Sequence, residues 1–369
     1  MFSDKIESLN IEEWVSASLY AKPLDLQKII SKSKFSISDL PYLLSPAAEN
    51  VIETIAQKSS QLTKQRFGKT MQLFIPMYLS NECYNTCTYC GFSKEHKYER
   101  VTLSDEQINK ELTTLKEKGF QHILLLTGES PKKVGADYIK NAVKLTSKKF
   151  DSIGIEVQPL KQHEYEEIIL AGADSLTLYQ ETYHYESYLK YHLSGIKRQY
   201  KKRLDAVEAG AKAGFFRINL GILCGLYDWR YDAIALAHHI NYLQKKYWKT
   251  KFAVSFPRIN EMIGEFKVGY QTNTIQLVQM ICAFRLIFPD ITITLSTREP
   301  AVLRDKLIHL GITQISAESN TSPGGYSTCS SEKQFEISDE RSLDEIKKVL
   351  LKNNFEPVMK DWDKSLQLI

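Results

Sequence analysis

The chain lacks any run of about 18 apolar residues, so no membrane-spanning helix is expected. Its first residues, MFSDKIESLNIEEW, hold no apolar stretch behind basic residues, so no secretory leader is expected either. Charge of one sign is scarce. The net charge is +4 over 369 residues, and no block of like charges stands out. That gives no footing for nucleic acid or an acidic membrane as partner. Cysteine is sparse too: six in a chain this long cannot make a disulfide scaffold. There is no Gly-x-Gly-x-x-Gly loop and no Gly-x-x-x-x-Gly-Lys loop, which removes the usual phosphate cradles of nucleotide-binding sheets.

What remains is the composition of an ordinary soluble enzyme, with 43% hydrophobic and 25% charged residues. The length allows one large domain or two modest ones. A cytoplasmic location is expected. Three of the six cysteines crowd into Cys83, Cys87 and Cys90, and in a reducing compartment such crowding points to a metal site.

Residues 1–70 read as helices. Ser45 is an N-cap with Pro46 at the first helical position, and the pattern runs on to Gly68. From residue 71 the pattern becomes strand, turn and helix, repeated. The strand-like runs cover 72–79, 122–129, 153–159, 175–181, 215–225, 251–258, 292–298 and 313–319. Most are nearly continuously apolar, as strands buried on both faces should be. Ser104 with Gln107 forms a capping box, and Gly119, Gly172, Gly214 and Gly311 follow helix ends. Eight strands alternating with helices over about 250 residues predict a (β/α)8 barrel over 71–320. An open doubly wound sheet is the alternative. Residues 321–369 are turn-rich and polar, with a last helix at about 339–353, and read as a short extension packed on the barrel.

The cysteine segment SNECYNTCTYCGFS falls just after the first strand, on the face that carries the chemistry of barrel enzymes. Three thiolates on one loop can hold three irons of a cubane cluster and leave the fourth free for a small molecule. A zinc site with His96 as fourth ligand is the other reading. Polar residues at other strand ends would then serve ligands. They are Thr127-Gly128-Glu129, Glu156 and Gln158, Gln180 on the fourth strand, and Ser296 with Arg298 on the seventh. Ser316 and Glu318 follow on the eighth. Glu156 and Gln158 alternate with apolar residues and should both point into the barrel, toward a ligand or toward interior hydrogen bonds. Arg298 suits bidentate capture of a carboxylate, unless it pairs with Glu299 or Glu318. His238 and His239 lie within a helix, and Cys224 and Cys282 read as small core residues.

Cys-x3-Cys-x2-Cys with aromatic Tyr89 before the last cysteine resembles the signature of the radical S-adenosylmethionine (SAM) family. The resemblance implies a radical SAM barrel, a [4Fe-4S] cluster on Cys83, Cys87 and Cys90, and SAM as cofactor. It implies SAM contacts at Tyr89, Gly128, Glu129, Glu156, Gln158, Gln180 and Arg203. Within that family the chain is similar, along nearly its whole length, to the tyrosine lyases of thiamine thiazole biosynthesis. The matching segments include RFG (66–68), CTYCGFS (87–93), TGE (127–129), EVQPL (156–160), YQETYH (179–184), VSFPR (254–258), LSTRE (295–299) and KDWD (360–363).

That likeness implies cleavage of the Cα–Cβ bond of L-tyrosine to 2-iminoacetate and 4-cresol, with 5′-deoxyadenosine and methionine from SAM. Arg298 would grip the tyrosine carboxylate, with Ser296 and Ser316 nearby. Thiazole synthase is the implied protein partner, and flavodoxin or ferredoxin the implied kind of electron donor. The hydrogenase-maturation tyrosine lyases, which make carbon monoxide and cyanide, are the near rival. They carry a second cluster on a cysteine-bearing C-terminal extension, whereas here only Cys329 lies beyond Cys282. A non-catalytic metal-binding assembly subunit is the alternative of another class.

Overall fold

The computed structural model describes residues 1–259, 266–327 and 331–360. Eight parallel strands close on themselves: β1 (Thr70–Ser80), β2 (His122–Thr127), β3 (Ser152–Glu156), β4 (Ser175–Thr177), β5 (Arg217–Gly221), β6 (Lys251–Ser255), β7 (Thr292–Leu295) and β8 (Gln314–Ser316). β8 lies beside β1, with Gln72 opposite Gln314 and Phe74 opposite Ser316. That pairing makes the expected barrel and excludes the open sheet.

The pleat sorts the side chains. Leu73, Ile75 and Met77 of β1, Ile123 and Leu125 of β2, and Ile218 and Leu220 of β5 face outward into the apolar core shared with the helices. The alternate residues line the bore, and many are polar: His122, Glu156, Ser175, Thr177, Asn219, Thr294, Gln314 and Ser316. So the outer face of the strands is apolar while the inner face is mixed, with Phe74, Leu124 and Leu126 standing among the polar residues, where nearly continuous apolar runs were expected. Low in the bore, Thr294 Oγ1 donates to Gln314 Oε1 at 2.9 Å, and Arg217 donates to Gln72 Oε1 at 3.0 Å. Burial pushes the His122 imidazole down to about 3, so it is neutral there.

Seven of the eight strand runs read from sequence are wider than the strand observed; the first, 72–79, is narrower than β1 (Thr70–Ser80). The overhangs are the loops at the C-terminal mouth, and these loops build the site.

The helices follow the sequence signals closely. Ser104 and Gln107 make their reciprocal cap at the head of Asp105–Glu117. Ser45 caps Ala48, but the helix expected up to Gly68 is in two pieces, Pro46–Glu49 and Ile52–Phe67. Gly119, Gly172 and Gly214 have positive φ, as helix-ending glycines should; Gly311 does not. Gly311 is instead a close-packing position, where a Cβ would come within 3.1 Å of Ile281 and 3.2 Å of Arg285. His239 stacks on Phe2 at 4.1 Å and His238 meets Trp14 edge-on, so both are packing residues. Cys224 and Cys282 are buried core residues. No helix among the described residues is long and apolar enough to cross a membrane.

After β8 the chain crosses the mouth, then forms the helix Leu343–Lys352 and a ninth strand, β9 (Glu356–Val358). β9 lies parallel to the start of β1, with Thr70 opposite Glu356. Cys329 lies outside the described residues, and of KDWD only Lys360 is described.

Candidate active site

One cavity opens at the C-terminal mouth and runs into the bore. The cysteine loop forms part of its wall through Tyr89 and Cys90. Four clamps hold that loop. Arg100 donates to the carbonyls of Asn81 (2.8 Å), Phe92 (3.0 Å) and Ser93 (2.7 Å). Thr86 and Cys87 pair antiparallel with Ser194 and His192. Asn85 Nδ2 donates to Glu129 Oε2 at 2.8 Å, while its Oδ1 accepts from the Lys197 backbone at 2.9 Å. The Gly91 backbone N–H donates to the Gln334 carbonyl at 3.0 Å.

Cys87 is buried, and Cys83 and Cys90 are half-buried. Burial raises all three thiols, Cys83 to about 11, and each thiolate would feel at least one of the others. Three ionised sulfurs therefore need a strong cation among them, and a cationic cluster supplies one. Backbone N–H groups of Asn85 and Glu129 face the Cys83 sulfur and that of Phe92 faces Cys90, the donors that thiolates bound to iron accept. Among the described residues, no group of three or more His, Cys, Asp or Glu is drawn together around a single ion. His96, the fourth ligand of the zinc reading, is exposed. The donor set, three cysteine sulfurs on one loop, fits an iron–sulfur cluster, which Cys83, Cys87 and Cys90 would hold.

Tyr89 is buried, and its hydroxyl meets His192 Nε2 at 2.7 Å. His192 Nδ1 lies 2.7 Å from the Tyr188 carbonyl and must donate to it, so Nε2 accepts from Tyr89.

Gly128 has a task within the fold itself. A Cβ there would come 2.3 Å from the Glu82 carbonyl oxygen and 3.2 Å from Cys83 Cβ. The missing side chain admits the cysteine loop itself. Glu129 is buried and already paired, accepting from Arg203 Nη1 at 2.7 Å. Burial would raise its carboxyl, but the Arg203 and Lys197 charges win and hold it below the usual range. Arg203 also donates from Nε to the Tyr179 carbonyl at 2.6 Å and is not part of the cavity wall. The Glu129–Arg203 pair braces the mouth from behind.

Glu156 and Gln158 part company. Glu156 ends β3 and opens on the cavity, where burial, with Glu181 adding, lifts its carboxyl to about 7. Gln158 lies past the strand end, where alternation no longer holds. Its Nε2 donates to the Val134 carbonyl at 3.1 Å, and it lines a different cleft. Gln180 is likewise buried outside the cavity, while its neighbours Tyr179 and Glu181 line it.

Ser296, Arg298 and Ser316 all reach the cavity. Among the described residues, Ser316 Oγ and Ser319 Oγ are buried there without a hydrogen-bond partner. The Arg298 guanidinium lies 3.4 Å over the Phe335 ring. Glu299 is taken by Arg258 (2.8 Å), and Glu318 by Lys118, so neither closes an ion pair on Arg298.

Three charged residues of the wall escaped the sequence reading as site residues: Arg217 low in the bore, and Glu181 and Lys197 nearer the mouth. Glu181 adopts φ +72°, and Lys197, on the short turn Ile196–Arg198, donates to Glu181 Oε1 at 2.7 Å. The positive φ has no sequence signal, but a carboxylate inside the YQETYH segment was a usable one.

With this geometry in place, likeness to known proteins becomes informative. The Radical SAM superfamily model matches residues 77–237, and the Biotin and Thiamin Synthesis associated domain matches 255–356. The chain is 42% identical to the 2-iminoacetate synthase of Escherichia coli, over 93% of this chain and 91% of that protein. The Salmonella typhimurium 2-iminoacetate synthase is also 42% identical, over 92% and 90%. This chain belongs to the 2-iminoacetate synthase family of radical SAM enzymes. Membership brings the family's cofactors, a [4Fe-4S] cluster and SAM. The solved FeFe-hydrogenase maturase HydG of Carboxydothermus hydrogenoformans is similar in fold. It is 31% identical with a TM-score of 0.91, over 97% of this chain and 85% of that one.

Proposed function

We propose that this 2-iminoacetate synthase family member cleaves the Cα–Cβ bond of L-tyrosine, giving 2-iminoacetate and 4-cresol with 5′-deoxyadenosine and methionine from SAM. The observation that carries the reading is one cavity with the cysteine loop in one wall and Arg298 in another. When bound, the cluster and SAM would supply the 5′-deoxyadenosyl radical that takes a hydrogen atom from the substrate amine.

The chain's own residues hold and orient. Cys83, Cys87 and Cys90 would hold the cluster. Glu156 and Tyr89 would flank SAM, with Gly128, Glu129 and Arg203 setting the loop that receives it. Arg298 would pair with the tyrosine carboxylate, and Ser296 and Ser316 would donate beside it. Tyr78, Leu126, Tyr179 and Leu223 give the wall its apolar, aromatic surface, suited to a phenol ring. The division into a lead-in (1–70), a barrel (71–320) and an extension (321–369) is one of position. Phe335 and Gln334 of the extension line the same cavity. Thiazole synthase would take the iminoacetate, and a flavodoxin or ferredoxin would supply electrons.

The test is a product assay on anaerobically reconstituted protein with SAM, a reductant and L-tyrosine, followed by mass spectrometry. Deoxyadenosine, 4-cresol and glyoxylate (from hydrolysed iminoacetate) should appear together, without carbon monoxide or cyanide. Deoxyadenosine without cresol would remove tyrosine as substrate. Carbon monoxide or cyanide would move the chain toward the maturase chemistry, and no SAM cleavage at all would favour an assembly subunit.

A further inference from the structure

Lys333 and Gln334, contributed from far along the chain, lie against the cysteine loop at Gly91. Gln334 is the inner anchor. Its backbone N–H donates to the Thr321 carbonyl at 3.0 Å, and its carbonyl accepts from Gly91 at 3.0 Å. The approach is close enough that a Cβ on Gly91 would come 2.5 Å from the Lys333 carbonyl oxygen and 2.6 Å from that of Gln334. The Gln334 backbone is therefore fixed to the residue next to Cys90.

The side chain is fixed as well. Tyr78 is buried at the mouth end of β1, and its hydroxyl donates to Gln334 Oε1 at 2.7 Å. The amide orientation follows from its two neighbours together: a cluster-bound Cys90 thiolate can only accept, so Nε2 faces it and Oε1 is left to accept from the Tyr78 hydroxyl. Nε2 lies 3.8 Å from Cys90 Sγ. The order Tyr78 O–H, Gln334 Oε1, Gln334 Nε2–H, Cys90 Sγ forms one directed chain.

From this geometry we propose that Gln334 tunes the cluster through Cys90, by donating a hydrogen bond that the Tyr78 hydroxyl holds in place through Oε1. The proposal rests on the cluster reading but not on tyrosine as substrate. Its physics is simple. Reduction adds a negative charge that spreads onto the ligand sulfurs, so an N–H donor on a sulfur stabilises the reduced form more than the oxidised one. Hydrogen bonds to the sulfurs are among the determinants of cluster potential. Gln334 is a positioning residue here, because it acts through Cys90 and not on substrate.

The experiment is an EPR-monitored redox titration of the full-length, anaerobically reconstituted protein without tyrosine. Gln334→Met removes the donor at similar volume. Gln334→Glu keeps the shape but replaces the donor with an acceptor. Tyr78→Phe keeps the donor and frees its orientation. The wild type should show the highest midpoint potential. Gln334→Met should lower it by several-fold in the reduction equilibrium, where tenfold is about 59 mV for one electron. Gln334→Glu should lower it further, and Tyr78→Phe less. Iron content should stay at the wild-type level. If Gln334→Met fails to load iron, Gln334→Glu and Tyr78→Phe decide alone. A residue that merely tied down the extension would change loading and leave the potential where it was. Unchanged potentials in loaded variants therefore overturn the proposal and leave the cluster reading standing. A wild type without a four-iron signal overturns both.

Discussion

Arg203 and Glu129 form a buried ion pair, with Arg203 Nη1 donating to Glu129 Oε1 at 2.7 Å between the helix Tyr200–Ala213 and the loop after β2. The family resemblance gives both residues to SAM. Their mutual pairing also makes them a brace on which the cysteine loop rests through Asn85.

A brace of this kind has a stability signature. Arg203→Met leaves Glu129 buried beside Asn85 without its cation, and breaking a buried pair from one side costs about 3–5 kcal/mol. Chemical denaturation of the full chain should read that loss. The pH dependence follows from the sign of the shift. Glu129 titrates below its ordinary 4.5 in the folded protein, so its contribution is present above pH 4.5 and fades as pH falls further. The gap between wild type and variant should therefore narrow in acid. An unchanged unfolding midpoint at pH 7 would return Arg203 to the ligand.

Gly128→Ala tests the space behind the cysteine loop. Backbone stands in the way at 2.3 Å, and backbone cannot rotate aside as a side chain can. The loop must shift, carrying Cys83 with it. We expect iron content after reconstitution to fall well below the wild-type level, with far-ultraviolet circular dichroism unchanged because the barrel strands are untouched. Normal iron content would show that the loop can yield without losing its ligand geometry.

Much of this architecture was legible beforehand, for a reason that Leu73, Ile75 and Met77 illustrate. The outward faces of the strands are apolar and β-rich, and capping pairs such as Ser104 with Gln107 mark the helices between them. Cys83, Cys87 and Cys90 were legible because a loop can group ligands by spacing alone. The other half of the site is assembled at long range. Lys197 meets Glu181 across the helix Tyr185–Tyr191, and Gln334 meets Cys90 from 244 residues away. Neither has a local pattern to betray it. Gln158 misled because period-two alternation was carried past Glu156, where β3 ends.

Glu156→Gln separates the two residues that alternation had joined. Burial and Glu181 raise the Glu156 carboxyl from 4.5 to about 7, so the folded state binds a proton there that the unfolded state releases. Wild-type stability is therefore lost as pH rises from 4.5 through about 7, and the neutral amide of the variant has no such loss. Without cofactors, the variant should be no more stable than wild type at pH 5 and measurably more stable at pH 8. With them, it should lose affinity for SAM, because a neutral amide no longer pairs with a cation. Gln158→Ala should leave SAM binding at the wild-type level. A SAM defect in the second variant equal to that in the first would restore Gln158 to the site.

Arg298→Ala addresses the substrate end of the cavity. The guanidinium rests on the Phe335 ring at 3.4 Å, and burial works against its charge, so an anionic ligand would recover what burial costs. A hydrogen bond to a charged group is worth about 1.5–3 kcal/mol. Losing it should raise the KM for tyrosine roughly 10- to 100-fold. Cluster content and tyrosine-independent SAM cleavage should remain, because Cys83, Cys87, Cys90 and Glu156 are intact. Phe335→Leu removes the stacking face but keeps the charge. A cation–π contact contributes about 0.5–1 kcal/mol where water has access, so its effect on KM should be only a few-fold. That ordering distinguishes a carboxylate grip from a packing role. If Arg298 only packed against Phe335, the two variants would behave alike, and neither would change the tyrosine dependence more than the SAM dependence.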